Sequence, residues 1–173
     1  MRASLEQDAR YAAAAAEFGG VLQRLARATE ADRERRRDLL QEMHLAVWRS
    51  LAAFDGRCSL RTWIYRIAHN VAASHVDKQR RVNRPWAGLE SVEQLASAQN
   101  VAAEVEDNEA IERLHRIIRR LGPPDRQIIT LYLEGLDAAE IAEVTGVSPG
   151  AVATRVSRLK AELARLFREA QNV

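Results

Sequence analysis

Arg155, Arg158 and Lys160 lie within six residues of one another, with Ser157 among them, Gly150 and Thr154 just ahead, and no acid between Ser148 and Glu162. Guanidinium, ammonium and hydroxyl donors at that density suit hydrogen bonds to phosphates and to base edges. Small residues ahead of them let a backbone come close to a duplex. Nothing in the sequence pairs a nucleophile with a base, and no glycine-rich phosphate loop is present. Cys58 is alone, which removes a disulfide framework and a cysteine metal site. His44, His69, His75 and His115 show no paired ligand spacing. The chemistry on offer is recognition, with no catalytic residue, metal or cofactor expected.

The stretch around these donors must hold them on a short helix. Asp137 and Glu140 have capping-box spacing and start one helix. Gly146 suits the left-handed conformation that ends it, and Ser148 with Pro149 starts the next. The turn Thr145-Gly146-Val147 has the length of a helix-turn-helix, and Ala142 is small where the helices cross. Ile141, Val147, Val152, Val156 and Leu159 supply its core. At 100° per residue, Gly150, Thr154, Ser157 and Arg158 face outward, flanked by Arg155 and Lys160. The plain alternative is a solvated cationic face.

The rest of the 173-residue chain reads as helix too. Apolar residues make up 47% and aromatics only 5%, with Ala and Leu throughout, so an all-α fold is expected. Helices are predicted over 11–28, bent near Gly19-Gly20, over about 32–53, and over about 60–78 with Ser59 as cap. The apolar positions Leu60, Trp63, Ile64, Ile67 and Val71 mark one face of the third. Further helices surround Ile111–Leu121 and follow "GPPD", started by the prolines or Asp125, and the last reaches about Arg168. Residues 82–107 read as an acidic flexible linker, with one short helix near 90–98. Lys/Arg and Asp/Glu number 15 and 10 over residues 1–82, 1 and 6 over 83–110, and 10 and 8 over 111–173. Two positive blocks flanking an acidic middle fit two nucleic-acid modules on a tether, or solvated faces joined by an acidic connection. No run of 18 apolar residues is present, so no membrane span is expected. The acid-bearing N-terminus lacks a signal-peptide pattern, which predicts a cytoplasmic protein.

Residues 38–81, "DLLQEMHLAVWRSLAAFDGRCSLRTWIYRIAHNVAASHVDKQRR", resemble region 2 of the extracytoplasmic-function (ECF) sigma factors of the sigma-70 family. Residues 117–163, "IIRRLGPPDRQIITLYLEGLDAAEIAEVTGVSPGAVATRVSRLKAEL", resemble their region 4. The resemblance implies two small helical domains: a region 2 bundle over 1–81, and a region 4 helix-turn-helix over 108–173, joined by the linker. It implies core RNA polymerase and promoter DNA as partners, and an anti-sigma factor or other regulator that masks the protein. By the resemblance, Asp38, Gln41, Glu42 and Leu45 dock on the clamp helices of the polymerase's largest subunit. The family carries further acids just before this motif, where this chain has Arg35-Arg36-Arg37. That reversal of sign weakens or reshapes the docking surface, or serves DNA or another regulator.

The loop "AFDGRCS" matches the segment that captures a flipped base of the −10 element, with Asp55, Gly56, Arg57 and Ser59 as contacts. Phe54 reads as core and Cys58 as an incidental thiol. The following helix turns Thr62, Tyr65, Arg66, His69 and Ala73 away from its apolar stripe. By the resemblance this is the −10 reading helix, and Thr62 belongs to its contact set; Arg61 and Arg66 suit phosphates, and His69 and Asn70 suit bases, although Asn70 equally suits an interhelix polar contact. Trp63 reads as packing and His75 as structural, and "KQRR" at 78–81 as a phosphate clamp or a charged terminus. For the −35 element the resemblance assigns Ser148, Gly150, Thr154, Arg155, Ser157, Arg158 and Lys160. The acidic linker is either an RNA mimic inside the polymerase or a plain tether. Two rival readings are a stand-alone helix-turn-helix regulator, which leaves 38–81 unexplained, and a sigma mimic that sequesters sigma regulators.

Overall fold

The computed structural model describes residues 2–82 and 105–169, and every regular element among them is helical. α1 spans Arg2–Thr29, α2 Arg33–Ser50 and α3 Leu60–Val82, with a short 3-10 turn at Leu51–Ala53. α4 spans Val105–Arg120, α5 Pro123–Leu133, α6 Ala138–Thr145 and α7 Pro149–Glu169. The expected short helix near 90–98 lies outside the described residues. None of the described helices is long and apolar enough to cross a membrane.

α1, α2 and α3 pack on one another as a three-helix group, and α4 to α7 form a second group. α1 is longer than the sequence pattern suggests. It begins at Arg2 and runs unbroken through Gly19 and Gly20. Its early turns are tied to α2 by polar bonds rather than an apolar stripe, which is why the hydrophobic period misses them. Gln7 Nε2 donates to the Trp48 carbonyl, Trp48 Nε1 donates to Asp8, and the Tyr11 hydroxyl bonds His44 Nδ1. Asp32 caps α2, accepting from the Glu34 and Arg35 amides. Leu39, Met43 and Val47, four residues apart, form its buried face.

His75 Nε2 lies 2.9 Å from Glu30 Oε2 in a closed pair that ties α3 to the α1–α2 corner. Ser59 Oγ accepts from the Thr62 amide and so caps α3 as expected. α5 is started by the prolines, with Gly122 at its cap, and not by Asp125, which sits in its first turn. The two groups are not held apart by the linker: α1 touches α4, and α3 touches α6.

Candidate nucleic-acid interface

Local chemistry builds the helix-turn-helix. Asp137 accepts from the Ala139 and Glu140 amides while Glu140 returns a bond to the Asp137 amide, so both ends of the capping box are closed. Gly146 takes φ 75 and donates its amide to the Ala142 carbonyl, ending α6 after eight residues. A side chain with a Cβ is strained at that φ, so glycine is the residue that makes the turn abrupt. Ser148 Oγ then accepts from the Ala151 amide at the start of α7.

Val152 and Leu159 are fully buried, and Val156 and Leu163 pack against the same core. The opposite face of α7 stays open: Ser148, Gly150, Thr154, Ser157, Arg158 and Lys160 are exposed and Arg155 is half-buried. Two of these cations are held before any DNA arrives. Asp125 Oδ1 takes Arg155 Nη1 at 2.8 Å and Asp125 Oδ2 takes Arg158 Nη2 at 2.7 Å. Lys160 stands over the Tyr132 ring, 5.4 Å from its centroid.

On α2, Asp38, Gln41, Glu42 and Leu45 all lie exposed, opposite the Leu39–Met43–Val47 stripe. Leu45 is 46% exposed, an unpaired apolar side chain among acid and amide groups. Of the three neighbouring arginines, Arg35 turns back toward Glu30 at 3.5 Å and Asp32 at 3.9 Å. The loop after α2 exposes Asp55, Gly56, Arg57 and Ser59, and Gly56 takes φ 75. Asp55 and Arg57 pair with each other across this turn. Phe54 packs on Trp63 with ring centroids 5.5 Å apart, and Trp63 Nε1 donates to Ser50 Oγ, so both serve packing.

α3 corrects the expected exposure. Thr62 is 5% and His69 4% exposed, and Tyr65 is buried with them. Asn70 is exposed, as a border position should be. The reason is tertiary: α3 has a second packed side, which the helical period of its first stripe does not reveal. His69 lies parallel to Tyr65, ring centroids 6.5 Å apart. Burial pushes the His69 imidazole down to about 3, so it is neutral at pH 7. Tyr65 is raised, first by burial and then by the nearby Glu134 carboxylate. Arg61 Nη1 reaches Glu140 Oε1 at 3.3 Å and Arg61 Nη2 the Glu134 carbonyl at 3.1 Å. Arg66 Nη2 donates to the Glu143 carbonyl at 2.6 Å. The expected −10 set is therefore divided: Asp55, Gly56, Arg57, Ser59 and Asn70 are open, while Arg61, Thr62, Arg66 and His69 are engaged or covered.

Sequence reasoning missed Arg24, Asp125, Glu134, Glu140 and Glu143 as members of these surfaces. Asp125, Glu134 and Glu140 are acids of the second group that pair with cations from elsewhere in the chain, and only their sign hinted at it; Glu143 joins through its backbone carbonyl, which takes Arg66.

The sigma-70 region 2 family matches residues 15–82, and the sigma-70 region 4 family matches residues 111–163. The ECF RNA polymerase sigma factor SigM of Mycobacterium tuberculosis is 33% identical over 148 residues, 84% of this chain and 71% of that protein. Among solved structures, CnrH in complex with the cytosolic domain of CnrY has a TM-score of 0.69 at 22% identity, covering 97% of this chain and 94% of that one. The sigma factor RpoE of Bartonella quintana in complex with the anti-sigma factor NepR has a TM-score of 0.64 at 22% identity, covering 88% and 94%. These two share the fold. A region 2 bundle and a region 4 helix-turn-helix on one chain define a sigma-70-type transcription initiation protein. The chain belongs to the ECF sigma factors: it binds core RNA polymerase and directs promoter-specific initiation.

Proposed function

We propose that the two halves divide promoter recognition by the state of the DNA. The first bundle, residues 1–81, docks on the clamp helices of the largest polymerase subunit through Asp38, Gln41, Glu42 and Leu45. Its loop at 54–59 and helix α3 then read one strand of a melted −10 element, with Asp55, Gly56, Arg57, Ser59, Arg61, Thr62, Arg66, His69 and Asn70 as the contact set. Because His69 is buried, its part in this set depends on α3 being uncovered. The second bundle, residues 108–173, lays α7 in the major groove of the duplex −35 element. Ser148, Gly150, Thr154, Arg155, Ser157, Arg158 and Lys160 make that contact. Residues 82–107 tie the two. Each contact is weak alone, and the shared polymerase raises the effective concentration of both. The protein's part is recognition, not chemistry, and it works in the cytoplasm with polymerase. A regulator that masks either bundle, as the CnrY and NepR partners of the related structures suggest, is the expected form of control.

One observation carries this reading. α7 hides Val152 and Leu159 completely while presenting small, hydroxyl and cationic side chains along its opposite face. That is the arrangement a groove-reading helix needs.

Transcription from a genomic promoter library, with core polymerase plus the protein, tests it. Discrete promoter-dependent transcripts are expected, and their absence from every promoter refutes the assignment. Asp38→Arg should weaken polymerase binding with the fold intact by circular dichroism. Wild-type affinity would remove Asp38 from the docking surface.

A further inference from the structure

The seam between the two bundles is polar and sorted by sign. The first bundle contributes Arg24 of α1 with Arg61 and Arg66 of α3. The second contributes Glu134 at the end of α5 with Glu140 and Glu143 of α6. Arg24 grips Glu134 side-on, Nε to Oε1 and Nη2 to Oε2, both at 2.7 Å. Glu134 also offers its carbonyl to Arg61, so one residue joins two cations of different helices. Arg61 continues to Glu140 and Arg66 to the Glu143 backbone, while Thr62 Oγ1 stands 3.5 Å from Glu143 Oε2.

A guanidinium gripping a carboxylate through two parallel bonds uses the geometry with which it grips a phosphate. Glu134 therefore occupies Arg24 in the way a nucleic-acid phosphate would, while Arg61 takes one carboxylate oxygen and one carbonyl and Arg66 a carbonyl alone. Arg24 and Arg61 keep 53% and 39% of their side chains exposed, so these pairs are solvent-screened and individually weak. A seam of this kind exchanges one anionic partner for another at little cost, unlike the dry core of each bundle.

We propose that Arg24, Arg61 and Arg66 form one phosphate-binding row for single-stranded DNA, and that the carboxylates of Glu134 and Glu140, with the backbone carbonyls of Glu134 and Glu143, fill it as a built-in competitor until the bundles part. This rests on the reading of α3 as the strand-contacting helix. It adds Arg24 of α1 as a DNA contact and makes the chain mask its own −10 surface without a partner. Any ligand that separates the bundles frees the row.

The full-length protein tests this with a labelled mixed-sequence single-stranded oligonucleotide and small-angle scattering. Glu134→Lys replaces the carboxylate that grips Arg24 with a cation beside Arg24 and Arg61, which the C-terminal end of a helix tolerates. Glu169→Lys, at the end of α7, makes the same change in net charge away from the seam. Wild type and Glu169→Lys should be equally compact. Glu134→Lys should expand and bind the oligonucleotide roughly tenfold tighter than Glu169→Lys at the same ionic strength. Adding Arg24→Ala to Glu134→Lys should remove several-fold of that gain.

The proposal is overturned if Glu134→Lys stays compact, or expands yet binds no tighter than Glu169→Lys. It loses Arg24 if the added Arg24→Ala has no effect. Should Glu134→Lys fail to fold, Glu134→Gln supports the same comparison with an expected gain of about threefold. Transcription with saturating core polymerase separates the two readings. Glu134→Lys should match wild type there, and a wild type that itself starts no transcripts sinks the sigma assignment rather than the masking.

Discussion

Two helices of this chain carry DNA-type donors, and they are treated differently. α7 leaves its donor face in solvent, with Gly150, Thr154, Ser157, Arg158 and Lys160 all exposed. α3 has Thr62 and His69 covered and Arg61 and Arg66 bonded to the second bundle. What lies on the second side of each helix explains the difference. The outer face of α7 is made of small and charged residues with little apolar surface to bury. α3 buries Ile64, Ala68 and Ala72, and it also carries Tyr65 and His69, whose rings need cover of their own. A position that points outward on a helical wheel is outward in the molecule only when nothing large and apolar shares its side.

The largest effect that separates the two helices is a pH dependence. Burial holds His69 at about 3 against an ordinary value near 6.5. The unfolded chain therefore takes up a proton that the folded one refuses as pH falls below 6.5. The stability that neutral His69 supports is present above that pH and is lost progressively down to about pH 3. Between pH 7 and pH 5 the loss from this residue is about 2 kcal/mol. His44 and His115 are lowered by burial as well and act in the same direction. Denaturant unfolding at the two pH values should show a shallower pH slope for His69→Gln than for wild type. An NMR titration of His69 near 6.5 would mean that α3 is open in solution and the contrast with α7 is lost.

The next effect tests the open helix. Arg158→Ala should reduce use of the −35 element by roughly 1–3 kcal/mol if that side chain reaches a base. Abortive initiation from promoters with intact and scrambled −35 sequences measures it. Unchanged discrimination would leave α7 exposed but without Arg158 as a reader.

The sequence made α7 legible because every signal there is local. The capping box at Asp137–Glu140, Gly146 past the helix end and Ser148 before the next all act within four residues, and the structure places each as expected. Helix ends governed by distant partners were less legible. The first turns of α1 are tied to α2 through Gln7, Asp8 and Tyr11 with no apolar period to announce them. The covered face of α3 was illegible for the same reason, since Arg61 and its partner Glu140 are 79 residues apart. Charge blocks marked which parts were positive and which acidic, and pairing across a seam leaves no further trace in a single chain.

The smallest effect lies inside the open surface. Asp125 binds Arg155 and Arg158 with its two oxygens, so the arginines of α7 are not wholly free even where the helix is. This pairing differs from the α3 seam in origin: it comes from α5 within the same bundle, and no separation of bundles releases it. The carboxylate does two opposed things to DNA binding. Its charge repels phosphates, and its bonds hold two long side chains in one geometry, which spares part of the rotamer entropy lost on binding. Asp125→Ala should therefore tighten binding of polymerase carrying this protein to any duplex, by about 0.5–1 kcal/mol at low salt, given pairs this exposed. It should also narrow the gap between cognate and mismatched −35 sequences, because the arginines are no longer aimed. Competition binding with the two duplexes at low and high salt separates the terms, since screening removes the repulsion and leaves the aiming. If discrimination is unchanged at both salts, Asp125 contributes charge alone and the α7 arginines find their contacts without it.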